Sequence, residues 1–483
     1  MGSRGIRALS PAGRRWLGCG LIIAILALPA TAAASPCEFV GMYASNVIGR
    51  GEPLQADNLR MISQQGVQIL RAQFDWNRIE TWPGHFDLHE YDRLVADAAV
   101  SGLRVLPILQ APPGWWSTAP ATGAGPAMYP PNDDAAFGRF AATLVHRYGP
   151  GGTLWQDEPW LPKLPIISWQ IWNEPSLLRF WATGPDPAAY TALLKAAYSA
   201  IKAVDPSAEV VAAGLPLSPL GMPFKKFVDG MYAAGAKGNF DTFALHAYAS
   251  TASGSIWIAR YARGLLDAHG DPAPIWITEF GWASGGPASV FTLDEIGQTQ
   301  QIADFLNQVS RQRVALGLRG VVYFQWKDVD PATAGRDIWI GSTGLLRADG
   351  SAKPALSVFG RTVSADFPLC PRHRAFRFVL SGRRRQSLRR HRVRVYGWSD
   401  QRVSVRAGAF ARSGSRKLRL RRAVRRLGPK VKTRLTLRVL RRELPALRHA
   451  LKRHRTIKVR VAARAVDATG SAVVARLTVR LHR

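Results

Sequence analysis

The chain predicts a (β/α)8 barrel followed by a smaller all-β domain, and two observations carry that prediction. Between about residues 38 and 363, eight short apolar, β-rich runs alternate with longer amphipathic stretches. Beyond about residue 370 the pattern becomes strict alternation of apolar and basic residues, as in strands with one solvated face. A length of 483 residues, 47% of them apolar and with 16 Trp, allows a large buried core.

The eight strand candidates are 39–44 (FVGMYA), 67–74 (VQILRAQF), 103–109 (LRVLPIL), 166–172 (IISWQIW), 209–215 (EVVAAGL), 240–248 (FDTFALHAY), 274–280 (PIWITEF) and 320–326 (GVVYFQW). Between them, EYDRLVADAAVSG sets Tyr91, Leu94, Val95 and Ala98 at helical spacing and stops at Gly102. DPAAYTALLKAAYSAIKAVDP has Pro187 at its start and Pro206 beyond its end. An open Rossmann-like sheet is the alternative architecture, but GMYASNVIGRGEP after the first strand lacks G-x-G-x-x-G spacing.

The first 34 residues read as an export signal. Arg4, Arg7, Arg14 and Arg15 form a basic head, WLGCGLIIAILALP is an apolar stretch short for a membrane span, and ATAAAS supplies small residues for cleavage near Ala34. Arg14 and Arg15 also allow a twin-arginine reading. Cleavage places the mature protein outside the cytoplasm, secreted or wall-associated, with no transmembrane helix. The barrel then covers residues 35–366 and the basic β-domain residues 367–483.

Strand ends on one face of such a barrel converge on an open mouth. Strand four ends in Asn173 and Glu174, and strand seven carries Glu279 105 residues later, three βα units on. The two carboxylates therefore face each other across the mouth at similar height. Glycoside hydrolysis needs such a pair, one carboxyl protonated to release the leaving oxygen and one ionised to meet the sugar carbon. The ten His lack H-E-x-x-H spacing and no G-x-S-x-G elbow is present, so no metal or other cofactor is implied.

IWNEPS together with WITEFGW resembles the catalytic pair of clan A glycoside hydrolases, with the surrounding sequence most like families 39 and 5. The resemblance spans roughly residues 38–363 and includes WNRIETWPGHFDLHEYDRLV and GLLRADGSAKPAL. It implies a retaining enzyme with Glu174 as acid/base, Glu279 as nucleophile and Asn173 as donor to the sugar 2-hydroxyl. It further implies Arg71 beside the nucleophile, His246 and Tyr248 as the strand-six His-x-Tyr pair with the Tyr hydroxyl on the nucleophile, and Trp326 as an aromatic floor. Gln110 stands where family 5 members often have histidine.

Trp76, Trp115, Trp116, Trp181 and Trp282 fall in loops on the same face, and at least two are expected to touch substrate, Trp282 first among them. The expected activity is hydrolysis of O-glycosidic, β-linked bonds in a polysaccharide or oligosaccharide. The alternative is a non-catalytic carbohydrate-binding or cell-wall-associated protein, which would not need both carboxylates.

The net charge of +32 is concentrated at one end: residues 371–483 hold 36 Lys+Arg against 3 Asp+Glu. Of these cations 31 are Arg. The alternating runs, with ELPALRHALKRH as one helix among them and DATGS as the last turn, resemble immunoglobulin-like sandwiches appended to secreted bacterial enzymes. Two readings stay open, an anchor to an anionic cell-wall polymer or a solvated sandwich in an Arg-rich background. Nucleic acid is not expected as a partner, for want of basic-aromatic platforms in an exported chain.

The two cysteines remaining after cleavage, Cys37 and Cys370, bracket the barrel segment, and in an oxidising compartment a disulfide would join its ends. Thiol titration of the unfolded, unreduced mature protein is expected to find no free thiol; two free thiols would exclude the bridge.

Overall fold

The computed structural model describes residues 38–45, 52–120, 129–159, 161–330, 339–367, 377–388, 391–399, 402–413, 416–428, 430–466 and 472–482. The export-signal reading, the Cys37–Cys370 bridge and the DATGS turn all lie outside these residues.

Eight parallel strands close into a barrel. They are β1 (Val40–Tyr43), β2 (Ile69–Asp75), β3 (Arg104–Gln110), β4 (Ser168–Ile171), β5 in two pieces (Glu209–Val211 and Leu215–Pro216), β6 (Phe243–His246), β7 (Ile275–Phe280) and β8 (Leu318–Tyr323). Each pairs with the next in parallel, and β8 returns to β1 through Val40 opposite Val321. Strand five, expected as one run over 209–215, breaks between its pieces. The first piece pairs with β4 (Ser168 opposite Glu209) and the second with β6 (Leu215 opposite Leu245), so the break itself is the seam that completes the ring. Parallel bridges from Asn173 to Gly214 and from Val211 to Thr242 hold the gap closed.

Among the described residues eight helices of ten or more residues follow the strands: α1 (Glu52–Gln64), α2 (His89–Ser101), α3 (Asp134–Tyr148), α4 (Pro187–Val204), α5 (Phe224–Ala233), α6 (Ala252–Ala268), α7 (Glu295–Gln312) and α8 (Pro354–Asp366). Their ends are set by short polar residues. Asp133, Asp186, Thr251 and Asp294 each accept hydrogen bonds from orphan amides of the first turn, and Pro187 supplies a preset φ at the start of α4. Gly102 ends α2 in the left-handed region, at φ 79°.

The alternation of each strand sorts side chains into two layers. One set packs against the helices, as Leu70, Leu109, Ile171 and Ile277 do. The other fills the barrel interior, where Ile69, Leu106, Ile108, Val211, Ala244, Trp276 and Val322 form a separate cluster. The interior is thus a packed plug between the polar mouth and a second polar cluster at the lower end, where Glu209 accepts from Ser168, Thr242 and Arg319. No described helix is long and apolar enough to cross a membrane.

The basic segment folds as two sheets around a core of its own. Strands β9 (Phe378–Ser381), β11 (Arg392–Ser399) and β15 (Thr433–Arg438) make one sheet. The other contains β10 (Arg385–Ser387), β12 (Val403–Ser413), β13 (Arg416–Arg419), β14 (Ala423–Leu427), β16 (Ile457–Val466) and β17 (Ala472–His482). Val393, Val395, Leu435 and Leu437 of the first pack with Val405, Val459, Val461 and Val479 of the second. One helix, α9 (Leu444–Arg453), lies between β15 and β16 in the chain and closes the core with Leu447 and Leu451.

The entry to β1 depends on one buried amide. Gln68 Oε1 accepts from Phe39 N at 3.1 Å and Val40 N at 2.9 Å, while its Nε2 donates to Gly66 O at 2.7 Å. Gln68→Leu should cost about 2–3 kcal/mol by leaving buried amides unpaired, measurable as a lower midpoint in urea unfolding.

Candidate active site

A single guanidinium organises the barrel mouth. Arg71, on β2, is fully buried among inward-pointing residues of neighbouring strands. Its Nε donates to Gln170 Oε1 at 2.9 Å, Nη1 to Glu279 Oε1 at 2.6 Å, and Nη2 to Asn173 Oδ1 at 2.9 Å. Nη2 also lies 3.4 Å from His246 Nε2. The Tyr43 ring lies beneath, its centroid 5.8 Å from the guanidinium carbon.

Both oxygens of Glu279 accept hydrogen bonds, the second from the Tyr248 hydroxyl at 2.8 Å. Burial pushes the Tyr248 hydroxyl well above its usual range, so it stays a donor. Glu279 therefore sits as a carboxylate whose charge is compensated in place by a buried cation.

Glu174 has different surroundings. Burial pushes its carboxyl up to about 7, with Arg71 and Arg179 acting in the opposite sense. Its Oε1 lies 2.7 Å from His246 Nδ1. Burial, reinforced by Arg71, drives the histidine down to about 3, so the ring is neutral. Its Nε2 lies 3.4 Å from both Arg71 Nη2 and Glu279 Oε1; with the proton on Nδ1 the ring donates to Glu174 and accepts from the guanidinium. One carboxyl is thus poised to hold a proton near neutrality while its neighbour is locked against a cation.

Local backbone geometry places these groups. At the end of β4, Trp172 and Glu174 adopt positive φ values of 69° and 45°, uncommon for residues with a side chain. The turn is anchored by Trp172 Nε1 on Phe180 O at 2.8 Å, Trp172 N on Leu109 O at 2.9 Å and Glu174 N on Gly214 O at 3.1 Å. Asn173 is oriented by Arg71 through its carbonyl, leaving its amide nitrogen to donate. Gly214, at the break in β5, is required by a close approach: a Cβ there would sit 2.0 Å from His246 Nε2.

An oxygen of Glu174, a ring nitrogen of His246 and an oxygen of Glu279 all lie within 4.8 Å of one another, a spacing a metal ion could bridge. The fixed charge of Arg71 against Glu279 and His246 opposes a second cation there, and the trio reads as an acid, its orienting imidazole and a carboxylate.

The structure brings Arg71, Asn173, Glu174, His246, Tyr248 and Glu279 into one hydrogen-bonded cluster. Two expected substrate contacts do not join them. Strand β8 ends at Tyr323, so Trp326 lies past the mouth; it is fully buried and its Nε1 donates to Asn58 Oδ1 at 2.8 Å. Phe324 is the aromatic that faces inward, stacked on Tyr43 at 4.5 Å between centroids. Trp282 is likewise fully buried, against Phe280 and Phe305, with its Nε1 on Ala249 O at 2.9 Å. Trp76 and Trp181 are also core residues, while Trp115 is exposed and Trp116 half-buried. Gln110 bonds Asp75 Oδ1 at 3.1 Å.

Sequence reasoning passed over Gln170, Gly214 and Trp339. Gln170 had a visible signal, a polar residue inside an apolar strand. Trp339 lies edge-on to Tyr248, 5.3 Å between centroids, and 4.5 Å from Phe291, as a wall beside the carboxylates.

Residues 171–313 match the family model for the glycosyl hydrolase catalytic core, a segment that holds both Glu174 and Glu279. The barrel carries a glycosidase catalytic core. Solved structures show the same fold: a family 39 glycoside hydrolase from the gut symbiont Bacteroides cellulosilyticus has TM-score 0.51 at 17% identity, over 84% of this chain and 81% of that one. A GH5_18 protein of Bifidobacterium longum, solved with Manβ1-4GlcNAc, has TM-score 0.50 at 16% identity, over 68% of this chain and 78% of that one. A glucosidase from Croceicoccus marinus has TM-score 0.51 at 12% identity, over 83% and 96%. No curated protein matches the sequence.

Gly214→Ala forces its methyl into the His246 ring, and the glycosidase variant should fold yet lose about 100-fold in kcat, as expected for a roughly 1 Å displacement beside the acid. Circular dichroism with aryl glycoside turnover checks this; unchanged turnover would remove His246 from the orienting role.

Proposed function

We propose that this protein is a secreted retaining glycosidase that cleaves β-linked O-glycosidic bonds of a polysaccharide or oligosaccharide by double displacement. The observation that carries the reading is the contrast between two carboxyls with oxygens within 4.8 Å of each other, one compensated by Arg71 and the other pushed up to about 7. A separation of about 5 Å suits direct attack, whereas inversion needs roughly 6.5–9.5 Å to admit a water.

In the first step a Glu279 oxygen bonds to the anomeric carbon as the bond to the glycosidic oxygen breaks, and Glu174 delivers its proton to that oxygen. In the second, Glu174 takes a proton from water, whose oxygen displaces Glu279 from the same carbon. Asn173 donates to the sugar 2-hydroxyl, and Trp339 and Phe324 offer aromatic surface to the ring being cleaved. The β-linked disaccharide held by the Bifidobacterium longum structure is in keeping with a β-linked substrate. Export rests on the basic-apolar-small pattern of the first 34 residues. The Arg-rich sandwich is the part suited to hold the enzyme on an anionic wall polymer.

Aryl glycoside turnover should vanish in Glu279→Gln, and a fluorinated mechanism-based glycoside should label Glu279; a label on another residue overturns the assignment. Glu174→Gln should lose turnover of poor leaving groups while keeping formation of the glycosyl-enzyme from leaving groups that need no proton.

The pH profile follows from the same geometry. The acid form of Glu174 is present below its folded value and lost above it, so kcat/KM should fall as pH rises through about 7. Because that value is raised above the usual one, the stability contributed by the protonated carboxyl is lost as pH rises from about 4.5 to 7. Glu174→Gln should remove this decline, seen as a smaller drop in Tm over the same interval.

A further inference from the structure

The outer face of the larger sandwich sheet carries a groove with no counterpart in the glycosidase site. It is lined by Arg406 of β12, Arg425 and Arg426 of β14, and Arg464 of β16, with Ser404 and Val424 between them. The strand register brings Arg406, Arg426 and Arg464 to this face, while Arg425, opposite the buried Val405, reaches the groove from the edge of the sheet. Arg406 stands directly opposite Arg464, and Ser404 opposite Arg426. Like charges facing each other across a ladder destabilise a sheet, and a merely solvated face has no need of the arrangement. Among the described residues no carboxylate lines the groove. Arg464 Nε is buried and has no acceptor. Burial, and then the charge of Arg406, act against the Arg464 cation, so a bound anion would relieve both.

The cationic row extends beyond the groove. Lys458, Arg460 and Arg464 alternate with the buried Ile457, Val459 and Val461 along β16 and share one face. From Lys458 to Arg464 the strand rises about 20 Å at roughly 3.3 Å per residue, longer than one small anion. Guanidinium forks match the paired oxygens of carboxylate, sulfate and phosphate groups.

We propose that this groove and the row beside it bind a polyanionic polysaccharide, with Arg406 and Arg464 clamping one acidic group and the β16 row following the chain. The proposal deepens the anchoring role given above to the sandwich and names its site.

The full chain is titrated with polygalacturonate, dextran sulfate, a phosphodiester-linked wall polymer, neutral dextran and a single-stranded DNA of matched charge, followed by calorimetry. Binding to at least one acidic glycan but not to dextran is expected, and it should weaken as ionic strength rises from about 0.01 to 0.15 M, where the screening length falls from about 30 to 8 Å. The glycan arms distinguish carboxylate, sulfate and phosphate as the recognised group. Arg406→Ser/Arg464→Ser should lose about tenfold or more in affinity, since both charge-assisted hydrogen-bonding forks are removed. The charge-matched control Arg441→Ser/Arg453→Ser, at exposed positions around α9, should bind as the parent does. Equal loss in both pairs would mean diffuse charge and overturn the site, as would binding of DNA with no acidic glycan bound. Aryl glycoside turnover is read in parallel: it should be unchanged in both pairs, so absent turnover tests the glycosidase reading and absent glycan binding tests the groove.

Discussion

A buried arginine is the constraint from which the rest of the mouth follows. Taking a guanidinium out of water costs several kcal/mol unless its donors are met and its charge is balanced. Arg71 spends its donors on Gln170, Glu279 and Asn173, residues from β4, its tip and β7. The cation therefore gathers three strand ends into one register and fixes the rotamers of the carboxylate and the amide together. Removing it would strand Glu279 in a dry site beside Tyr248.

The second carboxyl is placed by backbone rather than by charge. Two residues at the tip of β4 occupy left-handed conformations, and the Trp172 indole and neighbouring amides hold them there. The turn swings Glu174 toward His246 and away from the guanidinium, so burial dominates its protonation. Different devices thus put two identical side chains in contrasting surroundings, one held against a fixed cation and the other dominated by burial.

Much of this was legible in the sequence because strand ends in a barrel converge whatever the loops do. Alternation located all eight strands, and Glu174 and Glu279 announced themselves as carboxylates ending apolar runs. The misses have local causes. Trp326 and Trp282 lie near strand ends, but their indoles turn into the core and satisfy their N–H groups there, which an aromatic-rich segment does not disclose. EVVAAGL reads as one continuous strand because it has no polar interruption, although its glycine marks the break. Trp339 belongs to a segment without periodicity, and only tertiary packing puts it beside Tyr248. In the sandwich the alternation was plain, whereas the confrontation of Arg406 with Arg464 required the register.

The space between β5 and β6 carries a consequence for how this barrel could diverge. Where Gly214 has no side chain, the His246 ring fills the volume, so two strands share what is in effect one side chain. Neither position can drift alone: a bulkier residue at 214 evicts the ring, and a smaller one at 246 opens a hole beside the acid. Among descendants of this chain the two should be inherited as a single character, gained or lost in one step.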